Sequence, residues 1–183
     1  TNVREPGMAK GELSRGALTR NFLTSGLSAT EYASRIDGRQ YSGFNLLLAD
    51  GNSLVYFSNR DGNPRRLAPG IYGLSNLRLD SPSPKLLTAR ENFAQAGLKL
   101  PNETAFFDLL AEQSIVADKN LPDTGVLIEW ARLLSAVFVK SETYGTRASP
   151  VAWQRADGTV TVHENSFGPS GRPLQSSVIS TSE

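Results

Sequence analysis

The sequence predicts a layered α+β domain in which two antiparallel β systems are stacked and covered by helices. Three observations predict it. Residues 43–50 and 53–60 are apolar runs on either side of Asp50-Gly51, a strong short-range hairpin signal. Residues 146–155 and 159–167 repeat the pattern around Asp157-Gly158. Segments with helical apolar spacing come before the first β stretch and between the two, so the order is helices, strands, helices, strands.

The first expected helix opens at Ser14 and runs to about residue 25, with Leu18, Phe22 and Leu23 on one face. Ser28 and Glu31 form a capping box for a second helix through Ile36, stopped at Gly38. Residues 41–76 then form a three- or four-stranded meander with turns at Asp50-Gly51, residues 61–64 and Pro69-Gly70. It ends at Gly73-Leu74-Ser75-Asn76, where polar groups replace the apolar run and chemistry is expected. Pro82 and Pro84 stiffen the next turn, and Pro84 suits a first helical turn. Leu86, Ala89, Phe93 and Ala96 lie at helical spacing before Gly97, a C-cap residue.

Asn102 caps a further helix bearing Phe106, Phe107, Leu109 and Leu110. Residues 118–125 read as a loop, 126–134 as one or two helical turns and 136–139 as a short strand. After the second hairpin, 168–173 turn the chain and 174–180 form a last edge strand. There is no internal repeat, low-complexity stretch or linker.

A chain of 183 residues with 39% apolar and 20% charged residues fits one globular domain. The net charge of +1 gives no electrostatic footprint for nucleic acid or an anionic membrane surface. No apolar stretch approaches the roughly 18 residues of a membrane span. The polar start, with Arg4, Glu5 and Lys10, shows no leader, and with the lack of cysteine this suits the cytoplasm. Without cysteine there is no thiolate nucleophile or thiolate metal site in these residues. His163 is the single histidine, so no multi-histidine metal site is expected, and no metal or cofactor is assigned.

Several residues could carry chemistry. Asn76, at an expected strand end, can donate its amide to an oxyanion or carbonyl; capping a turn is the commoner role of such an asparagine. Arg147, after Gly145 in Tyr144-Gly145-Thr146-Arg147, could hold a carboxylate or phosphate bidentately, or pair with a surface carboxylate. Asn59-Arg60-Asp61, with Arg65 and Arg66 nearby, reads as a solvated turn ahead of a phosphate site. His163 alternates to the face opposite Val160 and Val162 and reads as a solvent-facing strand residue, with no G-x-S-x-G elbow beside it. Asn102-Glu103-Thr104 is a glycosylation sequon better explained by capping. Thr1 could act as nucleophile with its own amine as base, or could simply be where the numbering starts.

The ordered motifs Thr1-Asn2-Val3-Arg4, Ser14-Arg15-Gly16, Tyr41-Ser42-Gly43-Phe44-Asn45, Ser58-Asn59-Arg60, Tyr72-Gly73-Leu74-Ser75-Asn76, Leu121-Pro122-Asp123-Thr124-Gly125 and Tyr144-Gly145-Thr146-Arg147 resemble the NRDE family, also called the transport and Golgi organisation family. The resemblance covers most of the chain. It implies an α-β-β-α sandwich like that of N-terminal nucleophile hydrolases, acting on amide or ester bonds through a cysteine nucleophile. That cysteine and the naming Asn-Arg-Asp-Glu motif would precede residue 1, so the chain is expected to lack the family's first strands. Asn59-Arg60-Asp61 is not that motif, since Gly62 follows it.

By resemblance, Asn2 and Asn76 are oxyanion donors and Arg147 an active-site arginine, while Arg4, Tyr72 and Tyr144 are expected to contact a small-molecule substrate. Alone, these residues are expected to be inactive as a hydrolase, and an unpaired sheet edge invites a homodimer. The rival expectation is a non-catalytic haem- or lipid-related trafficking protein using the same pocket, or an interaction module with no small-molecule site.

Overall fold

The structure is a computed structural model describing residues 1–3, 10–121 and 125–181. It is α+β, as expected, with several helices and two antiparallel three-stranded sheets. The chain forms two compact units, Thr1–Ser81 and Pro82–Glu183.

The first unit contains helices α1 (Gly16–Ser25) and α2 (Ala29–Ser34) and strands β1 (Asn45–Ala49), β2 (Leu54–Ser58) and β3 (Arg65–Arg66) in the order β1-β2-β3. Pairing of Leu46 with Phe57 and Leu48 with Val55 places one apolar row on a single face. Leu18, Ala29 and Ala33 close over that row and Phe22 packs against its edge. Leu23 is 80% exposed, against expectation, because one residue of rotation carries it about 100° from the Leu18 and Phe22 stripe.

The Ser28 and Glu31 capping box is formed, and α2 ends at Ser34, two residues earlier than Ile36. Beyond it the chain tightens: Asp37 caps a short 3₁₀ turn at Gly38–Gln40, in place of the stop read at Gly38. The meander has three strands, not four. Beyond Pro69-Gly70 no strand forms through Ser81.

Asp50 ties the hairpin to the helices. Its Oδ1 accepts from the amides of Asn52 and Ser53, and its Oδ2 accepts from Ala29 N at 2.7 Å, the first amide of α2. Residues 1–3 pair with the start of β1: Asn45 N donates to Thr1 O at 2.7 Å and Val3 N to Gly43 O at 2.9 Å. The edge expected to be unpaired is therefore partly covered.

The second unit contains α3 (Pro84–Gly97), α4 (Thr104–Leu110), α5 (Ile128–Leu133), β4 (Ala148–Gln154), β5 (Val160–Phe167) and β6 (Pro173–Thr181), with β5 between β4 and β6. Pro84 occupies the first turn of α3, and Asn102 Oδ1 accepts from Thr104 N at 3.0 Å at the start of α4. Ala96, Phe106 and Val151 form its core, flanked by Phe107, Leu110 and Trp153.

Residues 136–139 do not form a strand. Phe138 instead buries its ring against Phe167, with centroids 4.8 Å apart, and its amide donates to Glu112 O. Lys140 and Gly145 make a single bridge there. A Cβ on Gly145 would stand 2.8 Å from Val139 O, so the glycine serves that close approach. No helix among the described residues is long and apolar enough to cross a membrane.

Candidate functional site

Asn76 lies in a closed loop rather than at a strand end. Gly73 and Asp80 pinch the loop: Asp80 N donates to Gly73 O and Gly73 N donates to Asp80 Oδ1, both at 2.8 Å. Two side chains on the sheet face opposite the helices hold the loop down. Asn45 Nδ2 donates to Leu77 O at 2.6 Å, and Leu79 N donates to Tyr56 Oη at 3.3 Å. Tyr56 Oη in turn donates to Asn45 Oδ1 at 2.9 Å. This buried polar pair is fully engaged, as burial demands.

From that loop Asn76 Nδ2 reaches the first residues of the chain. It lies 2.9 Å from Asn2 O, 2.9 Å from Asn2 Oδ1 and 3.1 Å from Thr1 Oγ1. An amide nitrogen has two hydrogens, so these three acceptors share them. With Oδ1 engaged, the side chain of Asn2 is fixed, and its Nδ2 has no hydrogen-bond partner among the described residues. The Thr1 backbone is paired to Asn45 through both N and O, as in a strand residue.

Thr1 and Asn2 border a cleft of about 470 Å³. Leu18, Phe44 and Leu46 supply its apolar side, and Thr19 and Arg15 a polar rim. Arg15 is anchored by donation from one guanidinium nitrogen to Gly43 O at 2.9 Å. The arrangement joins the side-chain amide of Asn2, a cation and apolar surface in one recess, which suits a ligand with a carbonyl and a short apolar body.

The other expected residues fall elsewhere. Arg147 is exposed in the second unit, and its carbonyl accepts from Phe167 N. Tyr72 donates its hydroxyl to Ala68 O at 2.8 Å. Tyr144 is half-exposed and packs edge-on to Trp130. Arg4 lies outside the described residues, as do Pro122, Asp123 and Thr124 of the expected loop and motif.

Two bland readings need correction. Asn59 is not a simple solvated turn residue: its Oδ1 accepts from Phe44 N and its Nδ2 donates to Gly38 O and Tyr41 O, stapling the approach to β1. His163 does not face solvent. It lies on the α4 side of β5, its ring against Phe107 and both its nitrogens engaged by Glu103 and Ser176.

Sequence reasoning missed Asn45, Tyr56 and Arg15. Asn45 did leave a signal, a lone amide within an otherwise apolar strand. Arg15 left none beyond its place ahead of a helix.

The chain matches the sequence model of the Transport and Golgi organisation 2 family over residues 1–169. It is 36% identical over 185 residues to the Transport and Golgi organization protein 2 homolog of Bos taurus, covering 91% of this chain and 67% of that protein. The Mus musculus and Homo sapiens homologs are each 33% identical over 188 residues, with the same coverage.

Proposed function

We propose, for a chain that belongs to the Transport and Golgi organisation 2 family, that it supplies the oxyanion side of an amide- or ester-hydrolase site of the N-terminal nucleophile kind. The nucleophile would be a cysteine outside these 183 residues, which contain none. Its thiol would pass a proton to its own amine, and the thiolate would attack the substrate carbonyl. Asn2 Nδ2 would donate to the developing oxyanion. Asn76 would hold Asn2 in place and lend part of its own amide. One such donor lowers the barrier by about 3–4 kcal/mol in comparable sites.

The observation that carries this reading is the clamp of Asn76 Nδ2 on Asn2 Oδ1 at the border of the cleft. Asn2 is exposed there, so its remaining amide hydrogens can meet a ligand without first breaking a protein contact.

The test uses the native-length protein and N-butyryl p-nitroanilide as probe. Turnover should be blocked by iodoacetamide, and Asn2→Ala should lower kcat by about 10²-fold or more. A wild-type protein that leaves the probe intact, or an Asn2→Ala variant with undiminished turnover, overturns the reading.

The apolar side of the cleft favours a second reading, in which the family fold keeps a lipid-like ligand without chemistry. Fluorescence titration with a pyrene-labelled fatty acid separates the two. Saturable binding that survives Asn2→Ala, in a protein without turnover, supports the carrier role. A haem ligand role for His163 is disfavoured, because both ring nitrogens are already in use.

A further inference from the structure

We propose that Ser176, His163 and Glu103 form a separate, serine-based esterase centre in the Pro82–Glu183 unit. His163 stands mid-way along β5, Ser176 on the neighbouring β6 and Glu103 at the start of α4. His163 Nδ1 lies 2.9 Å from Glu103 Oε2, and His163 Nε2 lies 2.9 Å from Ser176 Oγ.

Elementary chemistry assigns the roles. An ionised carboxylate only accepts, so Nδ1 carries the proton of the neutral ring. Nε2 is then an acceptor, and the Ser176 hydroxyl donates to it. A hydroxyl resting on the one nitrogen able to take its proton, with the ring locked in that tautomer by a carboxylate, is the nucleophile, base and orienter order of acyl-transfer sites.

The fold supports that order. Register places Val151, His163 and Val178 in one row, and Ser176 shares the face of Val178 two residues away. Phe107 covers His163, with ring centroids 4.6 Å apart. The imidazole is therefore mostly shielded, at 23% side-chain exposure, with Glu103 at 34%, while Ser176 is open to solvent. A base for attack on an incoming ester needs a solvent-accessible hydroxyl on its outer nitrogen, and Ser176 supplies one.

Val178 flanks Ser176 on the same face, 61% exposed, and offers apolar contact to a short acyl chain. β6 pairs with β5 alone among the described residues, so alternate amides of β6 point away from the sheet. These are the candidate oxyanion donors.

Ser176 Oγ attacks the ester carbonyl carbon as its proton passes to His163 Nε2, and the carbonyl electron pair moves to oxygen. Collapse breaks the C–O bond to the leaving alkoxide, which takes the proton from Nε2 and departs as alcohol. Water repeats the sequence on the acyl-serine. The sum is ester plus water giving carboxylic acid plus alcohol.

The test treats the full native chain with a fluorophosphonate probe and maps the adduct by peptide mass spectrometry. Attack by Ser176 expels fluoride and leaves a phosphonylated serine. An adduct at Ser176 that forms about 10²-fold more slowly in His163→Gln supports the proposal. Glu103→Gln, which keeps the shape of this half-buried side chain and an oxygen to accept from Nδ1, should slow it at least several-fold while leaving the melting temperature near wild type. The adduct should persist after iodoacetamide, which blocks the separate cysteine chemistry proposed above. Wild-type protein with no adduct at Ser176, or both variants labelling at the wild-type rate, overturns the proposal.

Discussion

Asn76 Nδ2 lies 2.9 Å from Asn2 Oδ1, so a loop amide and a residue beside β1 act as one unit across 74 positions of sequence. If Asn76 serves chiefly by holding Asn2, the two substitutions must not add. Asn76→Ala and Asn2→Ala should each depress turnover of the native-length protein, and the double variant should lose little more than the worse single one. Steady-state kinetics of the four proteins measures the coupling. Losses that simply multiply would show two independent donors.

The loop carrying Asn76 depends on Tyr56. Tyr56→Phe removes the donor to buried Asn45 Oδ1 and the acceptor for Leu79 N. Leaving a buried polar atom without its partner costs about 1–3 kcal/mol. Urea unfolding should report a loss of that size. Combining it with Asn45→Leu, which removes the orphaned amide, should cost less than the two singles added together.

What was legible in the sequence is what short stretches determine. The two Asp-Gly turns, the Ser28 and Glu31 box and the proline at the start of α3 each act within four residues, and each formed as read. The misread stretches are those where distant packing decides. Residues 136–139 are apolar enough for a strand, but Phe138 spends that apolarity on Phe167 without pairing along a sheet. His163 was placed on the correct alternation but its face was given to solvent, because nothing near it in sequence announces that α4 arrives there with Phe107 and Glu103. Family resemblance points to Asn2, and a place at an expected strand end already points to Asn76; their contact follows from the path of the loop, which no local motif encodes.

Gly145 offers a stringent test of the bridge before β4. A methyl group there meets Val139 O at 2.8 Å, and the same carbonyl accepts from Thr146 N. Since the obstacle is backbone, relief requires moving the chain. Gly145→Ala should cost about 1–3 kcal/mol, the usual range for overpacking. Gly97→Ala, where a Cβ meets nothing within 4 Å inside a helix, should be neutral or slightly stabilising. Thermal melts of the two variants check the contrast; similar losses in both would show that the close approach at residue 145 does not exist in solution.

Asp50 gives the first unit an acid-sensitive joint. Its carboxylate is held below the ordinary aspartate pKa, first by the Ala29 amide and then by Asn52 and Ser53. A folded pKa below the unfolded one means that the ionised form stabilises the fold. That contribution is complete above the ordinary carboxylate range. As pH falls through it, the unfolded chain takes up the proton first, and stability drops until the folded carboxyl is protonated as well. The group is well solvated, so the effect is modest, on the order of the 1 kcal/mol typical of a helix cap. Asp50→Ala should lower stability by about that much at neutral pH and should flatten the acid limb of the stability curve. Asp50→Asn should also flatten that limb while retaining part of the capping. Urea melts from pH 7 to pH 3 provide the measurement, and an acid limb unchanged in both variants would remove Asp50 from its cause.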